Sequence, residues 1–146
     1  MQLYRHGTHT VHDLKVHLIW CTKYRRPVLL GRVGVRVRDL IREICATHQV
    51  QILRGHVSRD HVHLFVSYPP QVSVSRFTQY CKGKTSRKLL QESTVLRKQY
   101  WGQHLWARGY FAVSSGTITD EAIVAYIASQ DEDAEKRGDG FTTLEV

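Results

Sequence analysis

A chain of 146 residues with 42% hydrophobic content is the size of one compact domain, expected over residues 1–146 with a loose N-terminal tail (1–11) and a C-terminal tail (138–146). No stretch approaches the roughly 18 uncharged apolar residues of a membrane span, the start MQLYRHGTHT lacks a signal-peptide pattern, and Cys21, Cys45 and Cys81 form no CxxC pair. A cytoplasmic protein is therefore expected, with no membrane association, disulfide framework or zinc knuckle. The 21 Lys and Arg against 13 Asp and Glu give a net charge of +8 and a pI near 9.7, which makes nucleic acid the leading partner class. The charge is segregated: acids gather in DEDAEKRGD near the C-terminus, and basic residues dominate Lys23 to Arg42 and Arg76 to Lys98.

In chain order, residues 12–21 (HDLKVHLIWC) alternate, with Leu14, Val16, Leu18 and Trp20 on one face, and predict a strand. After the turn KYRRP, residues 33–48 set Val33, Val37, Leu40, Ile41 and Ile44 at helical spacing among arginines. Residues 50–57 and 61–68 are β-prone runs separated by SRD, as in a hairpin. A second helix is predicted over about 73–91, with Phe77, Cys81, Thr85 and Leu89 on one stripe. The stretch ESTVLRKQYWGQH reads as a loop and LWARGYFAVSS as a fourth strand. GTITDEAIVAYIASQDEDAEKR reads as a final helix, with Thr119 as N-cap and Asp120 and Glu121 complementing its dipole. The order β-α-β-β-α-β-α is α+β, and its first six elements match the split βαβ of ferredoxin-like and RRM-like folds, an antiparallel sheet with helices packed on it.

The strand at 61–68 carries the chemistry. Side chains alternate, so Val62, Leu64, Val66 and Tyr68 form a core face while His61, His63, Phe65 and Ser67 point the other way. The two imidazoles project side by side, close enough for both to bind one metal ion; the bland reading of such a pair is two polar positions on a half-exposed strand. Histidine-triad hydrolases need a third histidine where Phe65 stands, and two-histidine phosphodiesterases need a hydroxyl where His63 stands, so neither fits. On the final helix Tyr126 and Gln130 lie four apart and share a face bordering Ile123, Ile127 and Ala134. That makes them candidates for a nucleophile and a further ligand, or simply an amphipathic edge.

In combination, HLIWCTKYRRPVL, DHVHLFVSYPP, KGKTSRKL, LWARGYF and AIVAYIASQ, in this order, resemble the single-tyrosine HUH transposases of small insertion sequences and their REP-associated relatives. The HUH signature is His61, Val62 and His63. The resemblance covers about residues 12–131 and implies that His61, His63 and Gln130 are metal ligands and Tyr126 the nucleophile. It also implies Mg²⁺ or Mn²⁺ as cofactor, although two imidazoles would accept Zn²⁺, Ni²⁺ or Co²⁺ as well. The activity it implies is cleavage and rejoining of single-stranded DNA, through hairpins at element ends and a 5′-phosphotyrosine. For DNA contact it points to Arg76, Lys82, Lys84, Arg87 and Lys88 on the second helix and Lys23, Arg25 and Arg26 after the first strand. Trp101, Trp106 and Tyr110 could stack unpaired bases, with core packing expected for at least one of them. A homodimer with composite sites is expected: Gly116 would let the final helix swing, and apolar residues of the first strand could pair across a two-fold axis. The alternative from another class is a non-catalytic module that binds single-stranded hairpins on the same fold.

Overall fold

The computed structural model describes residues 4–7, 11–100, 104–114 and 140–142. A two-stranded hairpin opens the chain, β1 (Arg5–His6) against β2 (Val11–His12), so part of the expected loose tail is paired. The main sheet takes β3 (Leu14–Cys21), β4 (Gln51–Val57), β5 (His61–Tyr68), β6 (Phe111–Ser114) and β7 (Gly140–Phe141). Their spatial order is β6-β3-β5-β4-β7, every neighbouring pair antiparallel. In order of use β3, β4, β5 and β6 are the four strands of the split βαβ, with the first and third central, so the fold is the α+β arrangement expected.

Helices α1 (Arg32–Thr47) and α2 (Val74–Glu92) supply the crossovers. They bury their apolar stripes on one face of the sheet: Val37, Leu40, Ile41 and Ile44 of α1 and Phe77, Cys81 and Leu89 of α2 share a core with Val16, Leu18, Trp20, Val62, Leu64 and Val66. Ser73 caps α2 by accepting from the Arg76 amide at 3.3 Å. Trp106 belongs to this core, meeting Trp20 edge to face at 6.1 Å and donating its indole N–H to Thr85 Oγ1 at 2.8 Å.

Three sequence expectations are corrected. The stretch read as a loop holds α3 (Thr94–Tyr100), whose Leu96 amide donates to Ser93 Oγ and whose Leu96 and Tyr100, four apart, are both buried. The signal was present, an N-cap serine ahead of an i, i+4 apolar pair, but two anchors in so short a segment do not stand out as periodicity. The fourth strand does not run from Leu105 to Ser115: Trp106 bridges Thr22, Gly109 at φ 80 breaks the run, and pairing resumes at Phe111. Finally, β3 cannot pair across a two-fold axis, because β5 and β6 occupy both of its edges.

The strand β4 contains a bulge at Leu53, between the pairs Ile52–Val66 and Arg54–Phe65. The extra residue reverses the alternation downstream. Gly55 therefore shares the helix-side face with Leu64, and His56 lies opposite His63 on the other face. Phe141 fills the space above Gly55: a Cβ there would come within 2.7 Å of Phe141 Cζ. Arg42 lies over that ring at 5.4 Å.

Candidate active site

The face of the sheet away from α1 and α2 carries a file of histidines. His61 and His63 project from β5, with ring centroids 4.5 Å apart and planes tilted by 46°. His56 is the cross-strand partner of His63 and is fully buried. His17 of β3 stacks flat on Phe65 at 4.1 Å with 2° between planes. This is not the half-exposed surface of the bland reading: His17, His56, His63, Phe65 and Ser67 are all buried. Sequence reasoning did not single out His17 or His56. The alternation of β3 holds the signal for His17, whereas only the bulge brings His56 to this side.

Asp60, just before the strand, engages the first of the pair. Its Oδ1 lies 2.7 Å from His61 Nδ1, and its Oδ2 accepts from Arg25 Nε at 3.1 Å. Burial works to raise the Asp60 carboxyl, but the hydrogen bonds from His61 and Arg25 outweigh it and hold the group below its ordinary range, as a carboxylate. A carboxylate on Nδ1 leaves the lone pair of a neutral His61 on Nε2, the donor a metal ion needs. The chemistry thus fits two imidazole ligands from one strand. Among the described residues no group of three or more His, Cys, Asp and Glu gathers to hold a metal; Gln130 and Tyr126, the predicted third ligand and nucleophile, lie outside the described residues, as do Gly116 and Trp101.

The predicted DNA-contacting residues divide between two surfaces. Lys23, Arg25 and Arg26 lie in the turn after β3: Arg25 holds Asp60 beside His61, whereas Arg26 donates to the Gln99 carbonyl and lies over the rings of Tyr24 and Tyr100 at 5.3 Å each. Arg76, Lys84, Arg87 and Lys88 stand on α2, in the helical layer on the far side of the sheet. Lys82 is employed within the fold, donating to the carbonyls of Ala107 at 2.9 Å and Gly109 at 2.7 Å where the fourth strand breaks. Beside it, a groove of about 410 Å³ between α2 and residues 104–108 brings Arg87 together with His104 and Arg108, two groups not foreseen from sequence. Of the aromatic candidates, Trp106 is core and Tyr110 is exposed.

The split βαβ sheet carries its paired histidines on the face away from the two crossover helices, and comparison with known proteins gives the chain a family. A family model described as "Transposase IS200 like" matches residues 10–130. The chain is 36% identical over 124 residues to the ISDra2 transposase TnpA of Deinococcus radiodurans, covering 85% of this chain and 89% of that protein. It is 34% identical over 125 residues to the transposase of insertion sequence IS200 from Salmonella typhimurium, covering 86% and 82% respectively. In structure it is similar to a Deinococcus radiodurans protein described as a transposase, with a TM-score of 0.72 and 31% identity over 86% of this chain and 97% of the other. A REP-associated tyrosine transposase bound to a REP hairpin shares the fold at a TM-score of 0.60 and 14% identity, covering 85% and 68%. The chain belongs to the IS200-like transposase family. No helix among the described residues is long and apolar enough to cross a membrane.

Proposed function

We propose that this transposase cleaves and rejoins single-stranded DNA through a covalent 5′-phosphotyrosine on Tyr126, with His61, His63 and Gln130 holding Mg²⁺ or Mn²⁺. The observation that carries the reading is the adjacent His61–His63 pair, with the Asp60 carboxylate 2.7 Å from His61 Nδ1. When bound, the divalent ion neutralises charge building on the phosphate oxygens. Two neutral imidazoles and an amide oxygen leave that ion its full charge. Tyr126 Oη attacks the phosphorus, losing its proton; the P–O3′ bond breaks, and the departing O3′ takes up a proton as a free hydroxyl. Attack by a 3′ hydroxyl on the same phosphorus reverses the exchange, since phenolate is a good leaving group. The bond energy is retained throughout, so no ATP is needed.

The substrate is taken to be a folded single strand, its hairpin lying along α2 and the groove at Arg87, His104 and Arg108, its cleaved segment passing Lys23 and Arg26 toward the histidines. A homodimer is proposed as the working unit. Among the described residues β6 is an outermost strand and exposed throughout, so it, rather than β3, offers an edge that a second copy could extend.

The test uses hairpin-bearing single-stranded DNA and looks for a denaturation-resistant protein–DNA adduct. Wild-type protein should form one with Mg²⁺ or Mn²⁺ and lose it in chelator, and Tyr126→Phe should bind the hairpin normally yet form none. An adduct surviving in Tyr126→Phe would exclude this nucleophile. Wild-type protein that binds hairpins but never forms an adduct would instead be the non-catalytic module.

A further inference from the structure

We propose that Asp60 and Arg25 are positioning residues for the metal: Asp60 locks His61 in the tautomer and ring orientation that present Nε2, and Arg25 locks Asp60. This rests on the reading of His61 as a ligand. A carboxylate only accepts, so the 2.7 Å contact requires the proton on His61 Nδ1. Without that acceptor the ring would be free to carry its proton on the nitrogen the metal needs.

Arg25 would be an ordinary exposed partner, its side chain 64% accessible, were its backbone not fixed. It is fixed through Thr22, which is fully buried. The Thr22 amide donates to the Asp60 carbonyl at 2.8 Å, Thr22 Oγ1 lies 2.8 Å from the Arg26 carbonyl and 3.2 Å from that of Asp60, and the Arg25 amide donates to the Thr22 carbonyl at 3.0 Å. Asp60 is thus tied to one hook by its main chain and its side chain together. The hook turns through Tyr24 at φ 62 and Arg25 at φ 52, two successive residues in left-handed conformation with neither a glycine. Such strain persists only where the surroundings over-determine it, and it concentrates at functional sites. A glycine would make the same turn without strain; what the chain gains by placing arginine there is a guanidinium aimed at Asp60 Oδ2.

Two readouts test the relay apart from cleavage. Long-range ¹H–¹⁵N correlation spectra of the metal-free protein should show His61 protonated on Nδ1, and Asp60→Ala should lose that pattern. Mn²⁺ binding, followed by electron paramagnetic resonance, should weaken roughly 10- to 100-fold in Asp60→Ala, the usual effect of removing such a partner. It should weaken less in Asp60→Asn, which keeps an acceptor oxygen, and roughly two- to fivefold in Arg25→Ala, the range of an exposed ion pair. If Asp60→Ala does not fold, Asp60→Ser, whose oxygen cannot reach Nδ1, should give the same result. His61→Ala separates the two ideas. Wild-type Mn²⁺ affinity in His61→Ala would remove His61 as a ligand and the relay with it, whereas weakened binding there beside an unaltered tautomer and affinity in the Asp60 variant would overturn the relay alone.

Discussion

Burial sets the chemistry of individual side chains in this molecule, and the three cysteines show it cleanly. Cys45 is fully buried, and desolvation pushes its thiol up to about 12 from an ordinary 9.0; Cys81 is raised well above the same value for the same reason. At pH 8 a thiol of pKa 12 is ionised to only about one part in ten thousand, so neither should react in the folded protein. Cys21 is partly exposed and is the cross-strand partner of His61. Brief alkylation at pH 8 followed by mass spectrometry should label Cys21 alone, and all three thiols after denaturation; prompt labelling of Cys45 would contradict the packing described. The linkage has a definite sign. Above pH 9 an unfolded chain sheds thiol protons that the folded one keeps, so stability falls as pH rises beyond that point. At this scale the sequence was readable wherever period-two alternation held, as at His61 and His63. It was silent on Asp60 as the partner of Nδ1, because a contact between sequence neighbours depends on backbone angles at the start of a strand, which residue identities do not reveal. It was silent, too, on the diversion of Lys82 to two carbonyls, which follows from where a distant strand breaks.

Strands and helices were legible in proportion to how regular they are. The stripes of α1 and α2 and the alternation of β3 and β5 located those elements to within a residue or two, because each buries one continuous face. The irregularities escaped: a short α3, the interruption at Gly109, and above all the bulge in β4. QILRGHV on strict alternation would send Ile52, Arg54 and His56 to one face, and a single extra residue is what separates Ile52 from His56. Deleting Leu53 should be far worse than shortening it. Either His56 would turn into the helix-side core or Ile52 would turn out of it, and each outcome moves a buried group into the wrong surroundings. A loss of at least about 2 kcal/mol is expected for the deletion, against a smaller loss for Leu53→Ala, whose side chain is only half-buried. Urea unfolding of the two variants provides the comparison, and equal midpoints would mean that the bulge does not fix the facing of β4.

Across the molecule, the outermost strands of the sheet among the described residues come from pieces far apart in sequence, β6 at one side and β7 at the other. The far edge hangs on Phe141. Phe141→Ala should cost about 3 kcal/mol, as for other buried phenylalanines, and Gly55→Ala roughly 1–3 kcal/mol, because its methyl group must displace that ring. In a double-mutant cycle the second loss should largely vanish once the ring is gone, and simple additivity would show that Gly55 is not kept small for Phe141. The anchoring of β7 also bears on the reach of Tyr126. The chain leaves the described fold at Ser114 on one margin and rejoins it at Gly140 beside β4, across five strands, a width of about 19 Å at the usual strand spacing. The described chain on either side of residues 115–139 is therefore fixed to a single sheet. For a tyrosine to serve a neighbouring copy, the two sheets must lie within the compass of that double mooring, or β7 must first slip its berth; Phe141→Ala loosens one line and leaves the other fast.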